Sequence, residues 1–430
     1  IVQWGDSVRI GHTGFDVEYI NSAAGLRQNF IVHQRPVGTG PLRVELKPGG
    51  DLRCEHAGGD LFRFMDTTGV ARMTYSDLHV WDADGDTLDA FASMEDGLVV
   101  LAVNDRNADY PITIDPITGS SWSAESNQTN AQLGASVSSA GDVNGDGYSD
   151  IIVGSSGWTN GQAGEGRVQL HYGSANGPSA GISWSYETDQ IGAVLGFGNS
   201  VATAGDVNGD GYSDIIVGAP YFDNGETNEG RVFVFHGSAT GLPAAPDWIA
   251  ESNQANALFG YAVNCAGDVN GDGYSDVVIG AYQFDGGEFY EGRVFVYHGS
   301  ATGLSAVANW TAESNQVNAI FGFSVASAGD VNGDGYSDVI VGAPRFDNGQ
   351  TNEGRAFVYH GSAVGLSATT TSDMLSIPST SQTPSSVPSA GARNNDGYSD
   401  VVVGIPYYAS ILANDGRAVV HNGSATGLGV

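Results

Sequence analysis

Basic residues are scarce in this 430-residue chain, with 16 Lys and Arg against 49 Asp and Glu and a formal net charge of −33. A field of that sign repels polyanions, which argues against nucleic acid and anionic membrane as partners. Long apolar runs are also lacking, since the longest obvious one, residues 98–103, is far below the roughly 18 residues that a membrane helix needs. We therefore expect no membrane span.

Cysteine is nearly absent as well. Cys54 and Cys265 lie far apart in regions that look unrelated, so neither a disulfide framework nor a metal-cysteine site is indicated. What the chain has in abundance is glycine, 63 residues in all, at about twice the usual ~7%. The chain is therefore expected to be globular and rich in turns.

A repeat organises most of the sequence. The segment GDVNGDGYSD begins at Gly141, Gly205, Gly267 and Gly329, and a divergent copy, GARNNDGYSD, begins at Gly391. A Trp and a glycine-containing segment precede each of the first four copies, and an aliphatic run and a Gly-Arg segment follow every copy. The repeat units are about 119–180, 181–244, 245–306, 307–368 and 369–430.

Each unit contains four short runs rich in Val, Ile, Phe and Tyr, separated by Gly, Asn and Asp, which is typical of strands. Four strands per unit, repeated radially, predict an all-β fold with a β-propeller over residues 117–430. A β-solenoid is the alternative, although its repeats are usually shorter. Residues 1–116 lack the period and predict a separate antiparallel β-domain, most simply a sandwich.

Closure of the propeller can also be predicted. If the Trp strand is the outer strand of the preceding blade, the strand around Trp122 is left over and the fifth blade lacks its outer strand. Docking the Trp122 strand on residues 416–423 would leave no open edge. The alternative is that further blades follow Val430.

The repeated loops carry the chemistry. Oxygen-bearing residues stand at positions one, three and five, a backbone carbonyl is available at position seven, and a carboxylate stands at position nine. This alternation suits Ca²⁺, which takes six to eight oxygen ligands. The predicted ligands are Asp142, Asn144, Asp146, Tyr148 and Asp150; Asp206, Asn208, Asp210, Tyr212 and Asp214; Asp268, Asn270, Asp272, Tyr274 and Asp276; and Asp330, Asn332, Asp334, Tyr336 and Asp338.

About four calcium ions are therefore expected. The loops are not EF-hands, because the last acid is at position nine and strands, not helices, flank them. The alternative is that Asp, Asn and Gly merely make tight hairpins. The fifth loop has Ala392 and Arg393 at its first two positions, so we expect it to be empty or weakly filled.

Two further sets recur in the units. His236, His298 and His360 precede Gly-Ser, and a residue copied once per blade is expected to hold the blade together. Asp223, Asp285 and Asp347 begin a second set of loops on the opposite face. These loops either line a binding surface or are solvated hairpins in which Glu pairs with the following Arg.

The combination of Phe-Gly, GDVNGDGYSD, VGAP and GRV resembles the FG-GAP repeat of integrin α-subunit propellers and of many secreted bacterial surface proteins. The resemblance covers about 310 residues. It implies calcium in the hairpin between the first two strands of a blade, and an extracellular or cell-surface setting. Two departures are that integrin propellers have seven blades where five repeats are counted here, and that the fifth unit lacks Trp and Phe-Gly.

Three functions are open at this point. The first is a non-enzymatic secreted or surface protein whose calcium-stabilised propeller mediates adhesion or assembly by binding a protein or glycan ligand or copies of itself. The second is a secreted carbohydrate-active enzyme, similar to a polysaccharide lyase, which needs an unrepeated cluster of Tyr, His and Arg. The third is a subunit of an extracellular filament.

Overall fold

The computed structural model describes all residues except 1, 5–6, 23–24, 39, 48–52, 59–60, 66–70, 118–121, 123, 175–176, 180, 189, 191–195, 350, 370–374, 377–385, 407–415 and 429–430. All the regular secondary structure among the described residues is β-strand. The chain divides into two compact units, Ile1–Ser123 and Ala124–Val430. The described part contains no helix long and apolar enough to cross a membrane.

The described residues of the first unit form eleven strands in two antiparallel sheets. The strands are β1 (Val2–Trp4), β2 (Ser7–Gly11), β3 (Phe15–Ser22), β4 (Gly25–Val32), β5 (Leu42–Leu46), β6 (Arg53–Gly58), β7 (Leu61–Met65), β8 (Ala71–Trp81), β9 (Ala90–Glu95), β10 (Leu98–Val103) and β11 (Ile112–Ile117). The larger sheet has the order β1-β2-β3-β4-β11-β8-β7-β6, and the smaller sheet has the order β5-β10-β9. Alternate residues of β10, such as Val99 and Leu101, share one hydrophobic core with Phe62 and Ile112 of the larger sheet.

In the part of the second unit that the structure describes, five antiparallel sheets follow one another along the chain. The first contains β12 (Leu133–Gly141), β13 (Asp150–Ser155), β14 (Arg167–His171) and β15 (Trp184–Glu187); the second, β16 (Ser200–Gly205), β17 (Asp214–Ala219), β18 (Arg231–Phe235) and β19 (Trp248–Glu251); the third, β20 (Ala262–Gly267), β21 (Asp276–Ala281), β22 (Arg293–Tyr297) and β23 (Trp310–Glu313); the fourth, β24 (Ser324–Gly329), β25 (Asp338–Ala343), β26 (Arg355–Tyr359) and β27 (Leu375–Ser376); the fifth, β28 (Ser389–Gly391), β29 (Asp400–Ile405) and β30 (Arg417–His421).

Consecutive sheets pack face to face. Each of four hydrophobic cores contains residues of two neighbouring sheets: Ile216 and Ile279, for example, belong to the core between the second and third sheets. The second strand of the second sheet, β17, is therefore buried at every position. First strands of neighbouring sheets lie side by side, and a cavity of about 520 Å³ is lined by residues of all five sheets or the segments before them. Sheets that share their faces in sequence around one channel are the blades of a β-propeller, as the sequence predicts.

The Trp strands complete the blades that precede them. Trp184 pairs with Leu170 of the first blade, and Trp248 pairs with Val234 of the second. The indole Nε1 of each then donates to a carbonyl oxygen of the following repeat, at Pro243 (2.8 Å) and Ser305 (3.0 Å). The condition given for ring closure, that the Trp strand is the outer strand of the preceding blade, is thus met for Trp184 and Trp248.

Ring closure by the segment around Trp122 stays a prediction. Residues 118–121 and 123 lie outside the described residues, and Trp122 itself is not in a strand. Among the described strands the fifth blade has three, in the order β28-β29-β30.

Candidate metal sites

Each acidic loop joins the first and second strands of a blade, and the second blade shows how it forms. The strand pairing shifts between Thr203 and Gly205, which places a bulge directly before the loop. Gly209 and Gly211 then adopt φ values of +73° and +90°, in the left-handed region that glycine enters without steric cost. The chain therefore turns sharply twice within a few residues.

The first acid organises this turn through the backbone. Asp206 Oδ1 accepts hydrogen bonds from the amides of Gly209 (2.6 Å) and Asp210 (3.1 Å), and Oδ2 accepts one from Gly211 (2.9 Å). Aspartate favours such short-range bonds to following amides. The carboxylate thus lies at the centre of the loop, and both of its oxygens accept backbone amides.

The third and fifth positions follow the same pattern. Asn208 Oδ1 accepts from the amide of Asp210 (3.0 Å), and Asn208 Nδ2 donates to Asp210 Oδ2 (2.9 Å). Asp210 Oδ1 accepts from the amide of Tyr212 (3.0 Å). The side chains of positions one, three and five are therefore folded onto one short turn.

The ninth position lies at the base of the loop. Asp214 is fully buried, and its two oxygens accept from the amides of Val207 (2.8 Å) and Gly237 (2.8 Å). Burial away from water raises the pKa of Asp214 to about 7, although these two amides oppose the rise. The same cause raises the pKa of Asp276 to about 7, the pKa of Asp338 to about 6, and that of Asp150.

The other three predicted loops repeat this geometry nearly atom for atom. In each, the first acid accepts three backbone amides, the third and fifth side chains bond to one another, and the ninth acid accepts two buried amides. The structure thus brings positions one, three and five of each loop together. It places position nine beneath them, held by the strands.

Whether a cation fits these loops depends on the chemistry of the atoms that would bind it. All five predicted donors are hard oxygens, which suits Ca²⁺ and does not suit a metal that prefers nitrogen or sulfur. In the described residues no group of three or more His, Cys, Asp and Glu side chains is gathered as a metal centre. The residues fit calcium in chemistry and order, and the assignment of the twenty ligands stays a prediction.

The fifth loop keeps only part of this arrangement. Asp396 Oδ1 accepts from the amide of Tyr398 (3.0 Å), and the buried Asp400 accepts from Arg393 (2.9 Å) and Gly423 (2.9 Å). Ala392 at the first position has no side-chain oxygen to organise the turn. The loop therefore retains the structural base and lacks one of the expected ligands.

The second set of loops is held by its own acids. Asp223 Oδ1 accepts from the amide of Asn228 (2.6 Å), and the fully buried Glu229 accepts from the amide of Asn224 (2.6 Å). Asp285 and Asp347 accept equivalent bonds. These contacts are those of a structured hairpin.

The alternative in which the loop Glu pairs with the following Arg does not hold in the second blade, where Glu229 accepts the amide of Asn224. Arg231 bonds instead to Glu251 of the outer strand, with Nη2 to Oε2 at 2.6 Å, and its guanidinium lies 4.3 Å from the ring centre of Phe222. The pairing is set by strand register, since Arg231 and Glu251 are direct cross-strand neighbours. A register between strands cannot be read from either segment alone.

Two of the recurring His residues, His236 and His298, contact the next blade. The His236 ring lies against Gly303, where an added Cβ would be 2.9 Å from the ring Cε1, and His298 lies in the same way against Gly365. Burial lowers the pKa of His298. These packing contacts agree with the predicted structural role.

A series of antiparallel blades that pack face to face, with an acidic hairpin of one pattern in each of the first four, defines a repeat protein of the propeller class. The FG-GAP repeat model matches residues 133–171, 197–235, 259–297 and 321–359. Each match contains the first three strands of one of the first four blades. The divergent fifth unit lies outside these ranges.

The relatives found by sequence comparison include integrin alpha subunits. Integrin alpha-V of Gallus gallus is 36% identical over 224 residues, which cover 49% of this chain and 20% of that protein. Integrin alpha-7 of Homo sapiens is 38% identical over 155 residues, or 34% of this chain and 12% of that protein. The chain spans a fifth or less of the length of these relatives. Four segments of the chain thus match the FG-GAP repeat, and the chain is similar to integrin alpha subunits. The expected bacterial type stays a prediction.

Proposed function

We propose that this chain is a non-enzymatic extracellular or cell-surface protein, and that its propeller binds about four Ca²⁺ ions and mediates adhesion or assembly. The observation that carries the proposal is the fourfold recurrence of one oxygen-rich loop at the same place in consecutive blades. Its similarity to integrin alpha subunits supports the adhesion role. A protein or glycan is the expected ligand.

The residues of each loop have distinct parts in this proposal. The first, third and fifth side chains and the seventh carbonyl supply oxygens to the ion, and bound calcium would offset the repulsion among the clustered carboxylates. Burial raises the pKa of the ninth acid, and the charges of the acids at positions one and five raise it further. A bound divalent cation would favour its ionised form.

Elemental analysis of the undialysed protein tests the calcium sites, with about four Ca²⁺ per chain expected. A chelator should lower the melting temperature markedly. A variant with Asp142, Asp206, Asp268 and Asp330 all changed to Asn should lose this response, whereas Asp396→Asn in the fifth loop should keep it. Protein without bound alkaline-earth metal, with an unchanged melt in chelator, would refute the proposal.

A lyase-like enzyme is the second candidate, because one aromatic cluster is not repeated. Tyr261, Tyr282 and Phe323 contact one another, with ring centres 4.5–5.4 Å apart. Burial raises the pKa of both tyrosines, however, which makes them poor general bases near neutral pH. We expect no unsaturated product in an absorbance screen with acidic glycans, and product formation would favour the enzyme.

Assembly into a filament has a separate test. Sedimentation of the chain in calcium buffer distinguishes a discrete particle from open polymers. We expect adhesion to a surface-bound ligand without polymerisation of the free protein, and concentration-dependent polymers would favour the filament subunit.

A further inference from the structure

The acidic loops of neighbouring blades touch one another through a tyrosine. The ring of Tyr212, at position seven of the second loop, lies against Gly145, at position four of the first loop: a Cβ on Gly145 would be 2.5 Å from the ring Cε1. The amide of Gly145 is itself bonded to Asp142 Oδ1 (2.7 Å). The ring therefore packs on the residue that holds the first carboxylate in place.

The next residue makes a second connection to the same loop. The amide of Ser213 donates to the backbone oxygen of Asp142 (2.9 Å), and the Ser213 side chain lies against Gly141. Two consecutive residues of one loop thus contact the backbone on both sides of the first acid of the preceding loop. We call the pair Tyr212–Ser213 and its equivalents the Tyr-Ser bridge.

The bridge recurs between every consecutive pair of loops. The equivalent ring contacts are Tyr274 on Gly209, Tyr336 on Gly271 and Tyr398 on Gly333. The equivalent amide bonds run from Ser275 to Asp206, from Ser337 to Asp268 and from Ser399 to Asp330, at 2.8–2.9 Å.

In the fifth loop the Tyr-Ser bridge is present without a complete set of predicted ligands. It has lost the first acid, yet Tyr398 and Ser399 keep both contacts with the fourth loop. The tyrosine ring therefore has a role that does not depend on ion ligands in its own loop.

Resting on the proposed calcium sites, we propose that the Tyr-Ser bridge couples cation binding between neighbouring loops. The Tyr212 backbone carbonyl is a predicted ligand in the second loop, while its ring and the following amide hold the first. An ion in the second loop fixes Tyr212, and a fixed Tyr212 preorganises the turn around Asp142. Because coupling free energies are reciprocal, an ion in the first loop strengthens the second equally.

A two-loop variant makes the coupling measurable. Asp268→Asn with Asp330→Asn disables the third and fourth loops, and further addition of Asp206→Asn leaves the first loop alone. Calcium titration calorimetry compares the affinity of the first loop in the two backgrounds. We expect about a fivefold loss when the second loop is disabled, at the lower end of typical couplings.

Tyr212→Ala keeps the carbonyl and removes the ring, so it should abolish that difference. Tyr212→Phe should retain it, since the hydroxyl has no part in the ring contact. Tyr398→Ala is the matched control: its ring makes the same contact on Gly333 of the fourth loop, which is disabled in both backgrounds, so its removal should leave the coupling between the first and second loops unchanged. If Tyr212→Ala does not fold, Tyr212→Leu removes the planar ring while keeping an apolar side chain.

The outcomes separate the two proposals. Coupling that persists in folded Tyr212→Ala or Tyr212→Leu, or loops that bind calcium independently in the parent, would overturn the bridge while leaving the calcium sites intact. No calcium uptake by the unmodified chain would overturn the proposed function instead.

Discussion

Glycine has two different uses within a single acidic loop. Gly209 and Gly211 both have left-handed φ values, but a Cβ on Gly209 would lie 2.5 Å from the Tyr274 ring, whereas one on Gly211 would have nothing within 4 Å. Backbone geometry demands glycine at both positions, and contact with the next blade demands it at the first alone. The two demands can be separated by substitution.

Gly209→Ala should be clearly more destabilising than Gly211→Ala. Both variants carry the cost of a left-handed alanine, about 1 kcal/mol, and only the first must also displace the Tyr274 ring, at roughly 1–3 kcal/mol more. Urea unfolding in chelator measures the difference without an ion contribution. Equal losses in the two variants would show that the ring moves aside freely.

The contribution of the Arg231 contacts to stability can also be tested by substitution. Its side chain and that of Glu251 are 15% and 22% exposed, in contrast with Arg53 at 73%. Arg231→Ala should cost about 2 kcal/mol, because a partly buried ion pair and a ring contact are both lost. Arg53→Ala should cost less than about 0.5 kcal/mol. Thermal unfolding of the two variants checks this order, and a smaller effect at Arg231 would contradict it.

At the scale of the loop, the ninth acid has a structural duty apart from any metal. Asp214 and Asp400 each accept two backbone amides at the base of their loops, although only the first belongs to a complete set of predicted ligands. Each acid ties the loop to the following segment after the third strand. This pair of residues can therefore distinguish a hydrogen-bond role from an ion-binding role.

In chelator, Asp214→Ala and Asp400→Ala should be similarly destabilising, by roughly 3 kcal/mol, because each leaves two buried amides without acceptors. In calcium, the loss at Asp214 should grow while the loss at Asp400 stays constant. Urea unfolding followed by tryptophan fluorescence gives both values. The same calcium dependence at both positions would argue against an empty fifth loop.

Much of the acidic loop and its flanking strands could be predicted from the sequence, because the residues that determine them are close together in the chain. Alternating Asp and Asn with glycine between them specify the turn, and the Val-Ile runs specify the strands that follow. The partners of Arg231 and of the Tyr212 ring could not be predicted, since they are set by strand register and by the packing of one blade on another. The recurrence of Tyr and Ser in all five loops, including the divergent one, was the available signal.

At the scale of the whole molecule, charge dominates. A net charge of −33 means that the chain without cations repels itself, and four Ca²⁺ would remove only eight units of it. Most of the acidic excess therefore remains on the surface and is subject to screening. Stability should depend on salt in a way that the bound ions only partly relieve.

In chelator, the melting temperature should rise as sodium chloride increases from about 0.01 to 0.15 M, over which range the screening length falls from about 30 to 8 Å. In calcium the rise should be smaller, because part of the repulsion has already been offset. Potassium chloride is the control, since screening does not depend on which monovalent cation supplies it. A melting temperature that falls with salt would contradict this view.

The faces shared by consecutive blades have a consequence for how such a chain can change in length. In the middle of the second compact unit, equivalent atoms make the contacts between consecutive blades. These contacts are made by Trp248 and Trp310, by the Tyr274 and Tyr336 rings and by the intervening cores. Loss or duplication of one 62-residue module between Gly205 and Gly329 would join surfaces that already match. Unequal exchange within the coding sequence can thus add or remove whole modules without inventing a new interface.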